Sequence, residues 1–137
     1  MNQVSIRQFL LPNLERLSLH LTDEQLNRLD LLVAAMLADP LYKSVSKIFE
    51  PEEIALKHIF DSLIPLCFNL PLWKSAKIVD LGTGGGFPAL PLAVLLPQSC
   101  ITAVDSRKKS VEFVARMAEA VGLKNIVTCH SRIEELG

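Results

Sequence analysis

The sequence predicts an α/β protein, with helices in the first half of the chain packed on a short parallel sheet built by the second half. Three observations carry this. Apolar residues recur at helical spacing up to about residue 70, short β-type runs alternate with helical ones from Lys77 onward, and half of the 137 residues are hydrophobic, with 14 basic against 15 acidic side chains. Alternating strand-like and helical segments mean βαβ units and parallel pairing. That apolar share and balanced charge belong to a chain that folds around a core, and a chain of this length buries about two thirds of its unfolded surface. One domain is expected over residues 1–137, with a helical region at 1–70 and the sheet at 71–137.

The first clear helix starts at Thr22, which forms a capping box with Gln25. Leu26, Leu29, Leu32, Val33, Met36 and Leu37 then follow at helical spacing until Asp39 and Pro40 stop it. A second helix opens at Glu50-Pro51-Glu52-Glu53, with proline in the first turn and acids facing the positive end of the helix dipole. Its apolar face is Ile54, Leu56, Ile59, Phe60 and Leu63, and Pro65 disrupts or kinks the chain beyond that face. Residues 71–74 form a short junction with Trp73 as an anchor. Strands are expected at 77–81, 101–104 and 126–129, separated by an apolar helix over 88–96 and an amphipathic one marked by Val111, Val114, Ala118 and Val121. Ser106 is placed to cap that last helix and Gly122 to end it.

Several function classes drop out. No uncharged apolar run approaches the roughly 18 residues of a membrane span, and the N-terminus lacks the basic flank and apolar block of a signal peptide. The expected address is the cytoplasm, with no membrane partner. Cys67, Cys100 and Cys129 are far apart and without C-x-x-C spacing, which argues against a disulfide framework or zinc ribbon. Cys129 and His130 are adjacent and would point to opposite faces of a strand, so no metal site is expected. A net charge of -1 lacks the basic face that strong nucleic-acid binding needs. Arg107, Lys108 and Lys109 are the longest basic run and sit where a helix dipole disfavours them, which suits either an anionic partner or a solvated face.

Chemistry concentrates in Lys77-Ile78-Val79-Asp80-Leu81-Gly82-Thr83-Gly84-Gly85-Gly86-Phe87-Pro88. This is a strand, an acid near its end, and a glycine-rich turn that opens a helix. Gly82 and Gly84 can take positive φ and let a ligand lie on bare backbone, and the helix start offers unpaired N–H groups. Asp80 would face a nucleoside-type ligand in the crevice at the carboxyl ends of the strands. Asp105, closing the second strand, is placed to accept both hydroxyls of a ribose. Phe87 stands where a dinucleotide fingerprint starting at Gly82 requires glycine, and no G-x-x-x-x-G-K-[ST] loop is present. Dinucleotides and ATP hydrolysis by that loop are disfavoured.

Acid-x-G-x-G-x-G followed by an acidic second-strand end resembles the first two motifs of S-adenosylmethionine-dependent methyltransferases. Further runs extend the likeness: Lys57-His58 with Asp61-Ser62-Leu63, the glycine turn with Pro91 after it, Asp105-Ser106 with Lys109, Asn125-Ile126, and Ser131-Arg132 with Glu134-Glu135. Together they are similar to the bacterial small-subunit ribosomal RNA guanine-N7 methyltransferase family, also called glucose-inhibited division protein B. The resemblance implies N-terminal helices packed on a partial Rossmann-like parallel sheet of the methyltransferase type, with S-adenosyl-L-methionine as cofactor. It implies donor contacts at Asp80, Gly82, Thr83, Gly84, Gly86, Phe87, Asp105 and Ser106, with Ile133 and Glu134 beside the adenine. Lys109, Arg132, His58 and Asp61 become candidates for the RNA side, although His58 and Asp61 are also spaced for an ordinary helix-surface hydrogen bond. Guanine N7 is already nucleophilic, so no general base is required and no catalytic residue is assigned.

Two departures accompany the likeness. Ser44-Val45-Ser46 stands where the family has Asn-Leu-Thr, which predicts local repacking or a lost contact. The chain also covers only the first three strands of the family's sheet, so an N-terminal portion without transfer activity is expected, one that holds small-subunit ribosomal RNA weakly. The uncovered edge of the first strand invites pairing with another chain. A non-catalytic interaction module that works through that edge is the alternative.

Overall fold

The computed structural model describes residues 5–68, 75–132 and 134. The junction expected at 71–74, with Trp73, and the adenine-side Ile133 lie outside the described residues. Helices α1 (Arg7–Arg16), α2 (Asp23–Ala38) and α3 (Tyr42–Val45) come first. A continuous helical run succeeds them. It begins as α4 (Pro51–Glu53), widens to a π-helix over Ile54–Phe60, returns to α geometry as α5 (Asp61–Leu63), and tightens to a 3-10 turn over Ile64–Phe68. Then come β1 (Lys77–Leu81), α6 (Ala89–Leu95), β2 (Cys100–Asp105), α7 (Lys108–Val121) and β3 (Ile126–His130). The strands lie side by side in the order β1-β2-β3, all parallel.

The expected capping box forms at α2. Thr22 Oγ1 accepts from the Gln25 N–H at 3.1 Å and Gln25 Oε1 from the Thr22 N–H at 2.8 Å. Leu26, Leu29, Leu32, Val33 and Met36 are buried on its inner face. Asp39 ends the helix in extended geometry, and its carboxylate receives Arg116 Nε from α7 at 2.8 Å. This ion pair ties the helical half of the chain to the sheet half. Ile54, Ile59 and Leu63 are buried as expected, but the turns that carry Ile54 and Ile59 are wider than the α-helix their spacing predicts. The 3-10 turn contains Pro65, which has no N–H to continue an α-helix.

Gly122 ends α7 in the left-handed region (φ 74°), as the sequence predicts. Ser106 does not cap this helix. The cap position is Arg107, and the acceptor comes from a residue earlier still, because Asp105 Oδ1 takes the Arg107 N–H at 2.8 Å. Phe113 and Met117 join Val114, Ala118 and Val121 in the core. Helices α6 and α7 lie against β2 and β3. In register, Val79 of β1 aligns with Thr102 and Val127 on one sheet face, where Val79, Leu81 and Val127 stay 58%, 49% and 61% exposed. Asp80, one residue out of phase, points inward.

Candidate functional site

Three parallel strands deliver their carboxyl ends to one side of the sheet. The glycine turn leaves β1 there and folds over the end of β2, where the Thr83 N–H reaches the Val104 carbonyl at 2.9 Å. Gly82, Gly84 and Gly86 all have positive φ. At Gly86 the chain needs glycine twice over: φ is 93°, and a Cβ would stand 2.3 Å from Leu90 Cδ1. The turn closes on itself through the N–H groups of Gly86 and Phe87, which both reach the Thr83 carbonyl.

Asp80, expected to face a ligand, is buried and turns into the glycine turn. Its Oδ2 accepts from Thr83 Oγ1 at 2.7 Å and from the Ala89 N–H at 3.2 Å, so one carboxylate oxygen braces both ends of the turn. The physical reason is the start of α6. Its first N–H is an orphan donor with positive dipole character, and Asp80 supplies the anion from within the protein. The helix start therefore does not offer that N–H to a ligand. Burial pushes the Asp80 carboxyl above its ordinary 3.8, against the bonds from Thr83 and Ala89, and the nearby charge of Asp105 pushes the same way as burial.

Asp105 occupies the opposite wall. Its Oδ2 accepts from the Gly84 N–H at 2.9 Å, and its Oδ1 from Arg107 N–H, with Arg107 Nε at 3.5 Å. Burial raises this carboxyl, but the two backbone N–H groups and the Arg107 guanidinium outweigh it, and the pKa lies below 3.8. A carboxylate has about four lone-pair sites. Two are taken by backbone, and the side chain still lines a cavity of about 530 Å³ with Gly82, Val104, Ser106, Ser131, Arg132 and Glu134. That volume falls in the range of small-molecule sites, roughly 300–1,000 Å³. The end of β3 is tied in as well, since the Ser131 N–H reaches the Asp105 carbonyl at 3.0 Å and His130 Nε2 donates to the Ser106 carbonyl at 2.9 Å.

Of the residues expected at a donor site, the structure brings Gly82, Asp105, Ser106 and Glu134 to one cavity, with Gly84 hydrogen-bonded to Asp105. Asp80, Thr83, Gly86 and Phe87 are not among the wall residues, and the first three act within the turn. Arg132, expected on the RNA side, is in the wall, whereas Lys109 is exposed on the first turn of α7 and Asp61 is exposed at the start of α5. His58 is half-buried, and its ring stacks on Phe87 with centroids 4.4 Å apart and planes 6° from parallel. Its Nε2 lies 3.1 Å from Ser46 Oγ, so the Ser44–Ser46 departure keeps a polar contact. Sequence reasoning missed Val104 and Ser131 in the wall and the Arg107 N–H on Asp105. The last was signalled only by an acid two residues before the cap position of a helix. Among the described residues, no group of three or more His, Cys, Asp or Glu is placed to hold a metal, and no helix is long and apolar enough to cross a membrane.

A crevice at the carboxyl ends of a parallel sheet, floored by a glycine turn and walled by the acid of the second strand, defines the class. Solved structures agree. A putative protein-L-isoaspartate O-methyltransferase from Plasmodium falciparum, in complex with S-adenosyl-L-homocysteine, aligns with a TM-score of 0.54 at 20% identity, over 100% of this chain and 66% of that one. Coclaurine N-methyltransferase, bound to N-methylheliamine and S-adenosyl-L-homocysteine, aligns with a TM-score of 0.50 at 17% identity, over 93% and 45%. The fold is the Rossmann-like methyltransferase fold.

Within that class the chain belongs to the GidB family, rRNA small subunit methyltransferase G, whose profile matches residues 25–137. Ribosomal RNA small subunit methyltransferase G of Lactococcus lactis subsp. lactis is 30% identical over 124 residues, which cover 90% of this chain and 52% of that protein. The protein of the same name from Trichormus variabilis is 37% identical over 122 residues, covering 85% and 49%. The chain spans about half the length of these relatives.

Proposed function

We propose that this chain supplies the donor-binding half of a cytoplasmic enzyme that methylates small-subunit ribosomal RNA at guanine N7, with S-adenosyl-L-methionine as methyl donor. One observation carries the reading: the Asp105 carboxylate, held ionised and aimed by Gly84 and Arg107, stands in the wall of a cavity sized for a nucleoside. Its Oδ2, with one N–H partner, is able to accept from a ribose hydroxyl, and Ser106, Ser131 and Glu134 line the same cavity. The donor, when bound, supplies an electrophilic sulfonium methyl group. The protein's part is to bind and orient. Gly82 leaves backbone bare at the crevice, Asp105 fixes the ribose, and Arg132 and Lys109 offer positive charge to the RNA backbone. Guanine N7 carries a lone pair without deprotonation, so rate enhancement rests on in-line placement of the two reacting atoms.

On this reading the 137-residue chain binds the donor weakly and does not transfer methyl groups by itself. A calorimetric titration with S-adenosyl-L-homocysteine tests binding, and no saturation at millimolar ligand overturns it. Incubating the chain with labelled donor and undermethylated small subunits tests the second part, where stoichiometric labelling of guanine N7 is the opposing result. A second reading is favoured by the position of β1, an edge strand among the described residues: a non-catalytic module that self-associates through that edge.

A further inference from the structure

We propose that His58 is a positioning residue, pinned by Ser46 and stacked on Phe87, that sets the glycine turn and through it the carboxylate that receives the donor's ribose. The role rests on the donor-binding reading above. Its geometry is a relay of contacts. Ser46 Oγ accepts the Ile48 N–H at 3.1 Å, which orients the hydroxyl toward His58 Nε2. The imidazole lies flat on the Phe87 ring. That ring is the floor of the turn: a Cβ built on Gly85 would meet Phe87 Cε2 at 3.5 Å and Cδ2 at 3.6 Å. On the far side of the turn, the Gly84 N–H holds Asp105 Oδ2.

The segment that carries His58 supports the assignment. It sits in the seven-residue π-helix Ile54–Phe60, and widened turns of this kind concentrate at functional sites. Ser62 Oγ donates to the His58 carbonyl and helps to hold this residue. An apolar side chain would serve if filling space were the only task. An imidazole instead combines a flat face for Phe87 with a ring nitrogen that Ser46 can aim, so both the position and the tilt of the stack are fixed.

Amide hydrogen exchange on the unliganded full chain tests this directly. In His58→Ala, exchange at the Gly84 and Gly86 amides should rise about tenfold, the scale of one aromatic stack, while amides of β2 and α7 keep their wild-type rates. His58→Phe, which keeps the stack, should return them to within about threefold of wild type, and Ser46→Ala should raise the same amides by about threefold. An unchanged turn in His58→Ala, or a uniform rise across β2 and α7, overturns the proposal. If His58→Ala fails to fold, His58→Phe and Ser46→Ala decide it by the same criterion. Affinity for S-adenosyl-L-homocysteine is the second arm. A tenfold loss in His58→Ala with recovery in His58→Phe supports the role, and wild-type affinity in His58→Ala refutes it. A wild-type chain that takes no ligand refutes the donor reading, and the exchange arm then decides whether His58 sets the turn.

Discussion

Two aspartates, one at the end of each of the first two strands, are pushed in opposite directions by what surrounds them. Asp80 is raised and Asp105 lowered from the ordinary 3.8. A lowered carboxyl contributes stability that is present above 3.8 and is lost as pH falls through its folded value, so Asp105 favours the fold at neutral pH. A raised one works the other way. The contribution of Asp80 is full below 3.8 and is lost as pH rises through its folded value. Both donors to Asp80 reach the same oxygen, Oδ2, so a single amide oxygen can replace it. Asp80→Asn should therefore leave stability at pH 7 nearly unchanged or improved, while Asp80→Ala should cost about 1–3 kcal/mol by stranding Thr83 Oγ1 and the Ala89 N–H. Urea denaturation at pH 7 measures both, and equal losses would refute the account. Asp105→Ala should weaken S-adenosyl-L-homocysteine binding by about 2–3 kcal/mol in calorimetry, with part recovered in Asp105→Glu. The place of Asp105 in the crevice wall was legible in the sequence because a strand-ending acid depends on local pattern alone. The inward turn of Asp80 was not, because its partner Ala89 lies nine residues on and becomes a neighbour only after the turn has folded.

Elements show the same division between local and non-local cause. The capping box of α2, the left-handed Gly122 and the proline at the start of α4 were all readable, since each is a rule over a few residues. The π-helix over Ile54–Phe60 was not, because its apolar spacing fits an ordinary helix equally well. Within it, His58 contacts Ser46 and Phe87, which come from two other parts of the chain. The glycine turn offers a graded test. A Cβ at Gly82 meets nothing within 4 Å, while at Gly86 it collides with Leu90. Gly82→Ala should then cost only the backbone term of about 1–2 kcal/mol, and Gly86→Ala about 3 kcal/mol or more because the buried Leu90 side chain must also be displaced. Thermal unfolding of the two variants checks the order, and a Gly82 variant less stable than the Gly86 one would contradict it.

At the scale of the whole molecule, the sheet is covered on the face that meets α6 and α7 and leaves Val79, Leu81 and Val127 outward on the other. Parallel sheets are ordinarily covered on both faces. Self-association is the expected result at high concentration, and Val79→Lys should shift sedimentation velocity profiles toward the monomer. A variant that associates as strongly as wild type would clear this surface. The sequence showed the edge, but the face was less legible, because it depends on which side the crossover helices take. The ion pair between Asp39 and Arg116 has a different consequence. It joins residues 77 apart in sequence and fastens the end of α2 to the middle of α7. With that clasp, and with α2 packed on both α6 and α7, neither half of the chain has a boundary along which it can come apart first. Heating should therefore give one endotherm, with calorimetric and van't Hoff enthalpies in agreement, and a chain nicked between residues 68 and 75 should elute from a sizing column as one particle.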